Sequence, residues 1–107
     1  MPTLHIFNPW HDEALAASTP FYTPTRAART LERDLATLPA WWANEGDYVL
    51  LPDDAGLHTE LLPAHVQYIC ASERERLSSL RFARVEPWGW DALLVRRLQR
   101  LGIDPAL

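Results

Sequence analysis

Short apolar runs that stop at a proline and resume after a helical stretch constrain this chain most. Leu4 to Phe7 runs into Asn8-Pro9, Tyr48 to Leu51 into Pro52-Asp53-Asp54, and Phe82 to Glu86 into Pro87-Trp88-Gly89-Trp90. Proline lacks a backbone donor and pushes the preceding residue away from helix, so each run reads as a strand with a defined end. The expected strands are Thr3 to Phe7, Tyr48 to Leu51, Val66 to Cys70 and Phe82 to Glu86. Helical patterns separate them. Strands that alternate with helices need crossover connections, which predicts an α/β fold: a small, mainly parallel sheet of about four strands flanked by helices.

The helical stretches carry their own signals. Thr23-Pro24 offers an N-cap and a first-turn proline, and Ala28, Leu31, Leu35 and Leu38 follow at helical spacing up to Pro39. Arg26, Arg29 and Arg33 lie on another face, which reads as solvated surface ahead of an anion site. Gly56 to Leu62 is expected as a short helix. Ser72 is expected to cap a helix from Glu73 to Leu80, with Glu75 in the capping-box position. Asp91 is expected to cap a last helix whose Leu94, Leu98 and Leu101 share a face and which Gly102 closes. From Asn8 to Pro24 the chain reads as a long connection, with a single helical turn at Ala14 to Ala17 before Ser18-Thr19-Pro20.

With 107 residues the chain reads as one domain, residues 1–107, with 48% apolar residues, as in a globular protein. The net charge of -4 argues against a nucleic-acid partner. All ten basic residues are arginine, which excludes a P-loop lysine and a Schiff-base lysine. The single cysteine, Cys70, cannot form an internal disulfide and reads as a small buried hydrophobe, which points to a reducing, cytoplasmic setting. No apolar run approaches the ~20 residues that span a bilayer, so no membrane partner is expected. His5, His11, His58 and His65 lack zinc-type spacing, so no metal site is assigned.

Ligands of parallel sheets bind at the carboxyl ends of the strands. In such a sheet three clusters would gather along one edge: Asn8 to Asp12, Pro52 to Asp54 and Pro87 to Asp91. Asn8 can orient a polar group, and His11 can act as acid or base near neutral pH or equally well bond the carbonyls of its own loop. Asp12 serves equally well as a cap for the Ala14 turn. Asp53 and Asp54 could form a turn, hold a divalent cation or receive ribose hydroxyls, although no G-x-G-x-x-G fingerprint is present. Trp88, Gly89 and Trp90 could stack on a planar ligand or face a partner. Of the adjacent Trp41 and Trp42, one is expected in the core and the other on the surface.

These residues also carry a resemblance. Phe7-Asn8-Pro9-x-His11-Asp12-x-Ala14-Leu15-Ala16, Tyr22-Thr23-Pro24, Leu38-Pro39-Ala40-Trp41-Trp42-Ala43, Gly46-Asp47 and Pro87-Trp88-Gly89-Trp90-Asp91 resemble the N-terminal region of a bacterial, ATP-grasp-related family found mainly in Bacteroidetes. The likeness spans nearly the whole chain and departs at Trp10, where a polar residue would be expected, so no charge-based role carries over to that position. The resemblance implies a Rossmann-like domain of the pre-ATP-grasp type, forming the N-terminal part of a longer protein. It implies a substrate-side accessory domain of a carboxylate-amine type ligase, inactive alone. Asn8, His11, Asp12, Trp88, Gly89, Trp90 and Asp91 would face a small-molecule substrate. ATP and magnesium would bind a C-terminal ATP-grasp-like region of the parent, with no cofactor in this chain. The alternative is a non-enzymatic interaction or homodimer module that uses Trp10, Trp41, Trp42, Trp88 and Trp90 as an apolar surface.

Overall fold

The structure, a computed structural model, describes residues 1–19, 21–53 and 62–105. Four strands, β1 (Thr3–Ile6), β2 (Tyr48–Leu51), β3 (Gln67–Cys70) and β4 (Arg84–Pro87), form one sheet in the order β3-β2-β1-β4. Every pairing is parallel, with Leu4 opposite Tyr48 and Val85, and Leu50 opposite Ile69. The chain therefore builds outward from β1 to β3 and then returns to lay β4 on the other side of β1. This is a small Rossmann-like α/β arrangement, and its topological switch point lies between β1 and β4.

Side chains that alternate along the strands divide the core. Leu4, Ile6, Ile69 and Val85 face one side and pack with Leu77, Leu93, Leu94 and Leu98. These leucines come from α3 (Arg74–Ser79) and α4 (Ala92–Arg100). Val49 and Leu51 face the other side and meet Ala36, Ala40 and Ala43. That second cover is thin: it comes from the segment after α2 (Arg26–Leu35) and a 3-10 turn, Leu38–Trp41.

Several local expectations are corrected. The Asn8 to Pro24 connection contains a two-turn helix, α1 (His11–Ala17), whose N-cap position is Trp10 with no side-chain cap. Asp12 is therefore inside the first turn, where a carboxylate complements the helix dipole, and does not cap. Thr25, not Thr23, caps α2 by accepting from the Ala28 amide at 3.2 Å. The α2 helix ends at Leu35, before the Pro39 limit, and it packs through Ala28 while Leu31 and Leu35 are exposed. The small Ala28 lets the helix approach, and Leu31 and Leu35 of the predicted stripe face out. Glu73, not Ser72, holds the cap position of α3, because its own carboxylate turns back to take the Cys70 amide at 2.9 Å. Strand β4 is displaced to Arg84–Pro87, leaving Phe82 buried but outside the ladder. Cys70 is only half-buried. Trp41 and Trp42 are both exposed, since Pro39 and Ala40 fill the core there instead. Trp10, expected on a docking surface, is 1% exposed.

Other expectations hold. Asp91 caps α4 through a 2.8 Å bond from the Leu94 amide, and Gly102 follows its end at φ 76°. The helix expected from Gly56 to Leu62 falls almost wholly outside the described residues, as do Asp54 and His58. No helix among the described residues is long and apolar enough to cross a membrane.

Candidate functional site at the β1–β4 switch point

The last β1 residue extends the ladder beyond the sheet, because the Trp88 amide donates to Ile6 O at 2.8 Å. Two residues on, the fully buried Asn8 side chain takes over the role of a peptide unit. Its Nδ2 donates to Gly89 O at 2.7 Å and its Oδ1 accepts from Gly89 N at 3.2 Å. The second Nδ2 proton reaches Asp91 Oδ2 at 3.3 Å. All of the carboxamide's donors are thus used inside the protein, and Asn8 serves to lock the β4–α4 loop onto the end of β1.

Asp91 is the hub. Its Oδ1 caps α4, and its Oδ2 also accepts from His11 Nδ1 at 3.2 Å. The Asp91 side chain is fully buried while that of His11 is 19% exposed. A carboxylate on Nδ1 selects the tautomer with the proton there, which leaves Nε2 as a bare acceptor. No described residue hydrogen-bonds to Nε2. The imidazole lies directly over Gly89, where an added Cβ would fall 2.3 Å from His11 Cδ2. Glycine is required at this position for the close approach of the ring, with no positive φ involved.

Of the predicted residues, the structure brings together Asn8, His11, Gly89 and Asp91. The others part from them. Asp12 is exposed on α1. Trp88 is turned toward Phe7, edge to face at a centroid distance of 5.4 Å, and Trp90 is exposed. Asp53 lies at the end of β2, where its carboxylate takes the Ser72 amide at 2.8 Å and ties the loops after β2 and β3. It also lines a cavity of about 250 Å³, between the sheet and α4, with Trp10, Glu32 and Arg97. There the Trp10 indole donates to Glu32 at 3.3 Å, and the Arg97 guanidinium lies 4.9 Å above its ring.

Sequence reasoning missed a second histidine–aspartate pair. Asp47 accepts from the Thr3 amide at 3.0 Å, the Asn44 amide at 3.0 Å and His5 Nε2 at 2.9 Å. Burial alone would raise the Asp47 carboxyl, but the Thr3, His5 and Asn44 hydrogen bonds outweigh it and hold it below its ordinary value. The only signal was a histidine inside an apolar strand, at the position that alternates with Leu4 and Ile6. Burial, followed by the nearby Glu73 and Asp53 carboxylates, pushes the Cys70 thiol up, away from nucleophilic reactivity.

Comparisons with protein-family models, with curated proteins and with solved structures find no match.

Proposed function

We propose that this chain is the substrate-side accessory domain of an ATP-grasp-like protein of the carboxylate-amine ligase type, not competent for catalysis alone. The observation that carries the reading is the Asp91-oriented His11, whose Nε2 is unused at the switch point of a parallel sheet. A histidine held in this way accepts a hydrogen bond or a proton from a polar ligand. Asn8 and Gly89 support the ring's position and do not themselves face the ligand. Asp12, Trp88 and Trp90 contribute at most to the rim, and Asp53 belongs to the neighbouring cavity.

The described residues offer no set that would hold ATP and magnesium. The segment after β1 carries Trp10, buried against Glu32 and Arg97, and no glycine loop, the chain has no lysine, and no metal-holding cluster occurs among the described residues. In this reading nucleotide and metal belong to a further region of the parent protein. The test is to read the gene beyond Leu107 and assay its full product for ATP consumption that depends on a carboxylate and an amine. His11→Ala should raise the KM for the organic substrate about tenfold or more, the loss of one hydrogen bond to a charged group, while leaving that for ATP unchanged. A stop codon at that point, or an unchanged KM in the variant, defeats the proposal.

A second reading, an interaction or homodimer module, is favoured by the exposure of Trp41, Trp42, Trp88 and Trp90 at 65%, 54%, 59% and 41%. Trp10 takes no part in it. Sedimentation that shifts with concentration, and that Trp88→Ala or Trp90→Ala abolishes, would establish this reading instead.

A further inference from the structure

His5 is 4% exposed, yet its Nδ1 is a buried polar atom with no hydrogen-bond partner among the described residues. Its other nitrogen is bonded to the Asp47 carboxylate, which also accepts from two backbone amides, so in the neutral ring Nε2 carries the proton and Nδ1 presents a lone pair. Such an atom loses a hydrogen bond that water would have supplied, and each case asks for an explanation. Here Nδ1 has a neighbour of the same kind: Glu86 Oε2, 3.7 Å away across the β1–β4 pairing. Two acceptors side by side cannot satisfy one another. A donor placed between them satisfies both.

The space for that donor exists. His5 and Glu86 line a cavity of about 130 Å³ with Pro39, Pro87, Trp42 and Trp88. It lies on the sheet face away from α4, where the 3-10 turn packs against β1. Both tryptophans are more than half exposed, so indole surfaces border the opening. Arg84 engages Glu86 Oε1, but its side chain is 63% exposed and therefore largely screened by water, and Oε2 remains on the His5 side.

We propose that this cavity is a binding site for a primary ammonium group. An ammonium supplies several N–H donors to His5 Nδ1 and Glu86 Oε2, a charge to complement the carboxylate, and a cation for the indole faces. A quaternary ammonium has the charge without the donors, and an alcohol has a donor without the charge. The chain contains no lysine, so none of its own side chains carries this group. The site lies on the opposite sheet face from His11 and does not depend on the ligase reading.

The test is a titration of the ¹⁵N-labelled protein with n-butylammonium, butyltrimethylammonium and n-butanol at fixed ionic strength, reading the indole N–H signals of Trp42 and Trp88. Butylammonium should give saturable shifts and bind about tenfold more tightly than either other probe, the worth of a charge-assisted hydrogen bond. Glu86→Gln, at a half-exposed side chain, should weaken that binding about tenfold, and Arg84→Gln should strengthen it. The absence of saturation with butylammonium overturns the proposal, as does equal binding of butanol (an apolar slot) or of butyltrimethylammonium (indole attraction alone). The comparison of probes on the unaltered protein decides the matter whether or not either variant folds.

Discussion

Two histidine–aspartate pairs flank strand β1, and they are built for different work. In the His5–Asp47 pair the histidine is in the strand, and the carboxylate also gathers two backbone amides from the first strand and from the turn before β2. In the His11–Asp91 pair the histidine is in the first turn of α1, and the carboxylate caps α4. The first pair joins residues 42 apart and closes the sheet over its Gly46-Asp47 turn. The second joins residues 80 apart and holds together two loops at the carboxyl edge. Asp47 binds mostly backbone and so determines where strands lie. Asp91 binds two side chains and so determines where those side chains point. A carboxylate's partners, more than its burial, tell which role it has.

The comparison breaks most visibly at Asp47. Asp47→Ala removes one partner of a buried, hydrogen-bonded pair and should cost about 3–5 kcal/mol, read as a fall in the urea midpoint or outright unfolding. Because the folded-state value of Asp47 is depressed, its stabilisation is complete above the unfolded-state value of about 3.9 and is lost as the pH falls through the lower folded value. Asp47→Asn should therefore flatten the acid limb of the stability curve measured below about pH 4.

Asp91→Ala comes next. It removes the α4 cap and strands the second Asn8 proton, for about 2–3 kcal/mol in the same denaturation experiment. Asp91→Asn retains a good capping residue and should recover at least half of that loss, while releasing the hold on the His11 tautomer. Gly89→Ala should have the smallest effect on stability, about 1 kcal/mol, because the half-free imidazole can leave its rotamer to make room. Its effect on the site should be large nonetheless: the ¹³C and ¹⁵N signals of the His11 ring should report displacement from Asp91. A Gly89→Ala protein with an unmoved His11 ring would contradict the close packing described above.

What could be read from the sequence divides along the same line. The parallel sheet, the Asp91 cap and the Gly102 exit were legible because each rests on a few neighbouring residues. The grouping of Asn8, His11, Gly89 and Asp91 followed from the topology, since parallel strands deliver their carboxyl ends to one edge. Other features rest on distance. Nothing local to Asp47 announces that it will bond Thr3 and His5, and a Gly-Asp turn explains it equally well. The start of α1 was hidden because Asn8-Pro9 signals a loop and Trp10 is not a capping residue. The tryptophans deceived in both directions. Trp10 is buried against Glu32 and Arg97, which no spacing rule connects to it, whereas Trp41 and Trp42 yield the core to Pro39 and Ala40.

The most direct measurement is the tautomer of the His11 imidazole, read from long-range ¹H–¹⁵N couplings in the neutral form of the ring. The expected result is a proton on Nδ1, aimed at Asp91, with Nε2 bare and available, and a change to the Nε2–H tautomer in Asp91→Ala. A proton on Nε2 in the unaltered protein would mean that Asp91 does not orient the ring, and the claim that the switch point presents an acceptor to a ligand would fall.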